Sequence, residues 1–319
     1  MIYRFPHTDL LSWQDQRLPA SITIQDHMGG HQHDMTNAVL DHLNNVADNQ
    51  SKKLSIIYHS ILEHAVTSQY ANLKINFDAD FQNRSNLNRF INYNTHPTVD
   101  FKNFVCSFNG GPHVSRILLV AILEKFKYFN PDYCSKNFVF LAEKLDGHIR
   151  DYVGDQDNFY RKFFIANNSA EFFNSIYSFG HVRFNHAKNI YNLENKLVES
   201  FLHIVSETMA TSYVPFVTEK FLYSVVTRGL FLSYAQPGWH AHVEKYYGFK
   251  RYTKLFDYQF DTIQNPVERL VELMSMISKF SILTIDDWKD LYLLEQETIE
   301  YNYDHYFSGS YLTKLKQAT

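Results

Sequence analysis

Residues 101–123 read FKNFVCSFNGGPHVSRILLVAIL, and this stretch decides the fold class. Phe101 to Phe108 is a short apolar run rich in aromatic residues, of the length expected for a buried strand. Asn109-Gly110-Gly111-Pro112 is a turn, and Pro112 suits the first turn of a helix, where its missing amide costs nothing. Ile117, Leu118, Val120, Ala121 and Leu123 then give that helix a broad apolar face. Strand, tight turn and helix in immediate succession form the repeating unit of a parallel α/β sheet.

The same alternation extends in both directions. Toward the N-terminus, β-branched runs at 20–26 (ASITIQD), 53–58 (KLSIIY) and 72–77 (NLKINF) read as strands, with helices near 36–48 and 82–93 between and after them. His96-Pro97 reads as a linker, which closes a small first lobe at residues 1–98. Toward the C-terminus, an aromatic-rich stretch at 130–196 carries helices near 156–165 and 169–177. A strand at 201–206 (FLHIVS), a helix over 216–228 and a strand at 229–234 follow. Pro237-Gly238 makes a turn, and a helix near 239–247 ends at Gly248, a residue suited to closing a helix. Asn265-Pro266 starts a helix running to about Phe280, and Asp286 N-caps a last helix. The expected division is a first lobe at 1–98, a second lobe at 99–285 and a helical segment at 286–319.

Composition narrows the function classes. Hydrophobic residues make up 45% of the 319 and charged residues 20%, which supports a sizeable core and excludes compositional disorder. The formal net charge is -4, so nothing global favours nucleic acid, and any affinity for phosphates must come from a local patch. Cys106 and Cys134 are expected as buried free thiols, since two cysteines cannot build a zinc site alone. The first residues lack the basic and apolar regions of a signal peptide, and no apolar run approaches ~18 residues. The expectation is a soluble cytoplasmic protein without membrane insertion. The abundance of Phe, Tyr and Asn fits an AT-rich genome such as that of a phage or a low-GC bacterium, and for a phage protein the compartment is the host cytoplasm.

Two segments carry the chemistry. In the first, Ser206-Glu207-Thr208 ends a strand, and Val217-Thr218-Glu219-Lys220 then opens a helix. Helix N-termini offer unpaired amides and the positive end of a dipole, which suits a diphosphate, and Lys220 adds a cation. Glu219 is placed to accept hydrogen bonds from ribose hydroxyls. The plain alternative is an ordinary helix start with Thr218 as its cap. In the second segment, Asn109-Gly110-Gly111 lets a ligand approach the backbone closely, and Arg116 offers a bidentate contact to phosphate. The plain alternative there is a common strand-to-helix turn with a surface arginine.

Taken together, Asn109, Arg116, Glu207 and the run Val217-Thr218-Glu219-Lys220 resemble the donor-binding half of inverting fucosyltransferases. The resemblance is greater still to a phage and bacterial group of fucosyltransferase-like proteins, and it extends to Phe231-Leu232, Pro237-Gly238, Tyr246-Tyr247, Gly248-Phe249 and Asn265-Pro266-Val267-Glu268-Arg269-Leu270. It covers roughly residues 101–307 and is specific around 205–250. The resemblance implies an α/β fold of GT-B type, with two Rossmann-like lobes, parallel sheets and a small N-terminal lobe. It also implies sugar transfer from a nucleotide-sugar, with an acceptor-side lobe at 1–98 and a donor-binding lobe at 99–285. By the same resemblance Arg116 and Lys220 neutralise the donor diphosphate, with Asn109 and Thr218 beside them. Glu219 holds the ribose, and Glu207 positions the sugar or the ribose. No metal or other cofactor is called for. Phe216 stands where the family has tyrosine, Phe221-Leu222-Tyr223 lacks its common basic or tryptophan residue, and Ser233-Tyr234-Ala235 replaces a Val-Gly loop. A fucose donor therefore does not follow.

An inverting transfer needs a base for the acceptor hydroxyl. Asp26, beside Gly29-Gly30, is the expected base; His27, His59, Glu63, Asp78 and Asp80 also follow strands of the first lobe. The run from His27 to Asp34 is rich in imidazole and carboxylate but reads as an acceptor contact or plain loop, not a metal site. For the acceptor, one expectation is DNA carrying hydroxymethylated pyrimidines, with residues 160–164 and 181–188 as basic and aromatic contacts. The alternatives are a lipopolysaccharide or capsule glycan, or an inactive interaction scaffold that has kept the fold.

Overall fold

The computed structural model describes residues 2–4, 21–25, 33–58, 68–77, 87–93, 98–110, 114–136, 179, 186–207, 210, 215 and 217–317. The helices expected near 156–165 and 169–177, the linker at His96-Pro97 and the candidate bases Asp26, His27, His59, Glu63, Asp78 and Asp80 lie outside them.

Two parallel sheets organise the described residues. The first has strand order β1-β2-β3-β4, formed by Ile2–Arg4, Ser21–Gln25, Leu54–Tyr58 and Leu73–Phe77. Helix α1 (His33–Asn49) buries Val39, Leu40, Leu43 and Ala47, a spacing that lines one helix face. That face forms a core with Ile22, Leu54, Ile56, Tyr70 and Leu73. Asn72 ties the helix to the sheet: its amide donates to Asn44 Oδ1 and its Nδ2 to Asp48 Oδ1, each at 3.1 Å.

The second sheet has order β6-β5-β7-β8, formed by Cys134–Lys136, Asn103–Asn109, Ser200–Ser206 and Leu230–Tyr234, again all parallel. Helix α2 (Val114–Lys125) follows β5 and is buried from Ser115 to Leu123. Helix α3 (His186–Val198) precedes β7. Every residue of β7 and β8 is buried, so both read as continuous apolar runs, as strands covered on both faces do. Cys106 and Cys134 are free and buried. Helix α6 (Pro266–Ser278) has Pro266 in its first turn and Asn265 capping the amides of Val267 and Glu268.

Several expected elements differ. Over 87–93 the chain makes a single 3-10 turn, Leu87–Arg89, not a helix. The Phe90 amide donates to the Tyr306 hydroxyl at 3.0 Å instead of to a helical carbonyl. The helix expected over 216–228 is a 3-10 turn, Glu219–Phe221, followed by the short α4, Leu222–Val226. Thr227 Oγ1 donates to the Tyr223 carbonyl at 2.7 Å and Arg228 takes φ 55°, so the chain leaves the helix early. Gly229 follows, where a Cβ would sit 2.0 Å from His203 Cε1. Residues 239–247 are helical throughout, as α5 (Trp239–His242) continued by a wider turn over Val243–Tyr247, and Gly248 closes them at φ 82°.

Asp286 is not the cap of the helix that contains it. Thr284 caps α7 (Ile285–Leu294) in a reciprocal capping box with Asp287. Two more helices follow, α8 (Gln296–Phe307) and α9 (Ser310–Gln317), where a single last helix was expected. Trp288, Ile299, Tyr306, Tyr311 and Leu315 from these helices join the core of the second sheet. Among the described residues no helix is long and apolar enough to cross a membrane.

Candidate functional site

In the second sheet β5 is central to the chain's path. The crossover leaving β5 leads to β6 on one side, and the next leads to β7 on the other. The connections therefore diverge at the carboxyl ends of β5 and β7, and such a switch point opens a crevice where α/β sheets bind ligands. Asn109 ends β5 and Ser206 ends β7. The residues singled out in the sequence, 109–116 and 206–220, are the loops and helix starts at these two strand ends.

The geometry is fixed from the sheet outward. Ser107 Oγ donates to the Ile204 carbonyl at 2.8 Å and receives Asn109 Nδ2 at 3.0 Å. The Asn109 amide donates to Ser135 Oγ on β6 at 3.1 Å. With its Nδ2 committed to Ser107, the Asn109 Oδ1 is a buried acceptor with no hydrogen-bond partner among the described residues. Ser115, in the first turn of α2, donates from Oγ to the Glu207 carbonyl at 3.3 Å and so joins segments 92 residues apart. Arg116 follows it and is buried.

Glu207 is fully enclosed. One carboxylate oxygen accepts from the Thr218 amide at 3.3 Å and the other from the Thr218 hydroxyl at 2.5 Å. The Thr218 hydroxyl in turn accepts from Lys220 Nζ at 2.8 Å. The lysine ammonium lies 3.9 Å from Glu207 Oε2 and 3.8 Å from Glu219 Oε1. Burial pushes the Glu207 carboxyl above the usual range, opposed by the Lys220 charge and the Thr218 hydroxyl and reinforced by the Glu219 charge. The chain of contacts runs from a half-buried cation through a hydroxyl to a buried carboxylate. It fixes the Lys220 ammonium beside the Glu207 carboxylate and holds Thr218 at the start of the Glu219–Phe221 turn.

The structure thus gathers Asn109, Arg116, Glu207, Thr218, Glu219 and Lys220 around the ends of two adjacent strands. Glu207 faces Thr218, a position from which it orders the loop that leads into the Glu219–Phe221 turn. Ser107, Ser115 and Ser135 also build the site, and the sequence reading gave none of them a role. Serines at strand ends and helix starts are too common to stand out, and only the register of β5 with its neighbours shows what they join.

A second polar cluster lies at the end of β8. His240 Nε2 accepts from the Ser233 amide at 3.0 Å, which leaves the ring proton on Nδ1, 3.0 Å from Asp261 Oδ1. The His240 amide donates to the other Asp261 oxygen at 3.0 Å. Both ring nitrogens face groups of the fold, so this pair fastens β8 to the start of α5. Among the described residues no three His, Cys, Asp or Glu side chains come together as a metal site would require. The run from His27 to Asp34 lies outside them apart from its last two residues.

In comparisons with protein-family models, curated proteins and solved structures, nothing matched this chain.

Proposed function

We propose that the chain is a glycosyltransferase of GT-B type that binds a nucleotide-sugar at the carboxyl ends of β5 and β7. The observation that carries the reading is the ordered Lys220–Thr218–Glu207 chain of contacts at the switch point, beside Asn109 and Arg116. It supplies what a departing nucleoside diphosphate needs: cations held in place before the reaction, in a largely enclosed setting where they act more strongly than in water. Lys220 and Arg116 meet the diphosphate, and Glu219 meets the ribose. Glu207 acts through Thr218 as a positioning residue. On this reading protein cations take the part a metal plays elsewhere, and the transfer inverts the donor's anomeric centre. The base comes from the first lobe, with Asp26 as the residue to test. The acceptor proposed first is a hydroxymethylated pyrimidine of DNA, and a lipopolysaccharide or capsule glycan is the second acceptor class.

The test is a thermal-shift screen of the full chain against UDP, GDP, ADP, CMP and their common sugar conjugates, since a ligand that binds only the folded state raises the midpoint. A shift with one nucleotide is expected, followed by transfer from its sugar conjugate to hydroxymethylated DNA. Transfer to a glycan in its place selects the second acceptor class. Absence of any shift with both acceptors present brings forward the inactive scaffold.

A further inference from the structure

Arg269 lies in the first turns of α6 and is only 1% exposed. A buried guanidinium has to place its N–H groups, and here they go to backbone carbonyls of two separate segments. Nη1 donates to the carbonyls of Ile263 and, at 3.1 Å, Gln264, just before the helix begins. Nη2 donates to the carbonyl of Ala210. Ala210 is buried and stands in the connection from Glu207 to Thr218. The planar fork of arginine suits this bridging, whereas a lysine ammonium is a single point on a flexible stem. A second tie runs beside the first. The guanidinium lies 6.0 Å from the centre of the Tyr234 ring, whose hydroxyl donates to the Pro266 carbonyl at 3.1 Å. The Tyr234 carbonyl in turn accepts from the Glu207 amide at 3.1 Å. The connection is thus tied at its start by β8, at Ala210 by α6, and at Thr218 by the Glu207 carboxylate.

From these contacts we infer that Arg269 is a positioning residue of the proposed site. It acts through Ala210, holding the connection in the form that lets Glu207 meet Thr218 and Thr218 meet Lys220. The inference rests on the nucleotide-binding reading and adds α6 to the elements that shape the site.

The experiment titrates the full chain and its Arg269→Gln and Arg269→Lys variants with the nucleoside diphosphate that binds the wild type. Hydrogen exchange is followed in parallel at the Thr218 amide and, as a control, at Ile204 in β7. Arg269→Gln is expected to weaken the nucleoside diphosphate about tenfold, as displacement of the groups that meet it should. Exchange at Thr218 should quicken about tenfold while Ile204 keeps its protection, the mark of a local opening. Arg269→Lys keeps the charge without the fork and should lose affinity as well; wild-type affinity in that variant overturns the inference. Equal quickening at Thr218 and Ile204 with affinity unchanged marks a purely structural role and also overturns it. Should both Arg269 variants fail to fold, Tyr234→Phe loosens the neighbouring tie to Pro266. It is then expected to weaken the ligand about threefold with faster Thr218 exchange, and no change in either overturns the inference. A wild type that binds no nucleoside diphosphate overturns the donor reading and the inference with it, whereas a wild type that binds beside variants that match it overturns the inference alone.

Discussion

Thr218 shows how much a single hydroxyl carries. It donates to a buried carboxylate and accepts from Lys220, so Thr218→Val leaves Glu207 short of a donor and Lys220 without its tether. The expected cost is about 1–3 kcal/mol of stability, the penalty for an unsatisfied buried group, with a several-fold loss of nucleoside diphosphate affinity. Urea denaturation and titration calorimetry measure the two effects. His203 makes a separate prediction at the same scale. Burial lowers its imidazole to about 4, against the ordinary 6.5, while its Nε2 contacts the Leu197 carbonyl at 2.8 Å. The folded state binds the proton less readily than the unfolded chain, so this group's contribution is present above the unfolded value and is lost as pH falls toward the folded one. From pH 7 to pH 5 the loss is roughly 2 kcal/mol. Denaturation of His203→Asn at both pH values should show that difference shrink, and an undiminished difference would assign the acid sensitivity elsewhere.

At the scale of elements, the signals tied to a local cause were legible. The strands at 20–26, 53–58, 72–77, 101–108, 201–206 and 229–234 carry their apolar runs at the observed places to within a few residues. Asn265-Pro266 starts its helix and Gly248 closes another, each through the local chemistry that makes those residues good caps. What was not legible was set by distant partners. The short strand at Cys134–Lys136 exists because it finds Ser107–Asn109, and the turn at 87–89 exists because Tyr306 takes the hydrogen bonds a helix would have made. The cap of α7 is Thr284 and not Asp286, because the helix begins one residue before Asp286 and reciprocal backbone-to-side-chain bonds pair Thr284 with Asp287. Thr284→Ala should therefore cost about 1 kcal/mol in thermal or chemical unfolding, and Asp286→Ala much less. Asn109, Arg116, Thr218, Glu219 and Lys220 could be picked out as candidates because their types suit phosphate and ribose, and the fold brings them to the ends of β5 and β7. That Glu207 faces inward could not, since only the packing of β7 against the loop before α4 decides it.

Across the whole molecule, the helices after residue 285 belong to the core that carries the site. The Asn302 side chain clasps Lys250 through both backbone groups, at 2.7 and 2.9 Å. Glu295 accepts from the amides of Lys254 and Leu255, and Arg228 pairs with Glu300 while lying over the Tyr303 ring. The Tyr306 hydroxyl then joins this helical segment to residues 87–90 across 219 positions of sequence. Tyr306→Phe removes a donor to one buried backbone group and an acceptor for another. A loss of about 1–3 kcal/mol is expected on that ground, read from the urea midpoint with the cooperativity unchanged.

On the proposed function Lys220, held by Thr218 and Glu207, faces the diphosphate of a nucleotide-sugar at the switch point of the second sheet. This placement is tested most directly by titrating wild type and Lys220→Ala with the nucleoside diphosphate that stabilises the wild type. Binding is expected to be abolished in the variant while its unfolding midpoint without ligand stays close to that of the wild type, as for a partly exposed side chain. Unchanged affinity in a folded Lys220→Ala variant would contradict it.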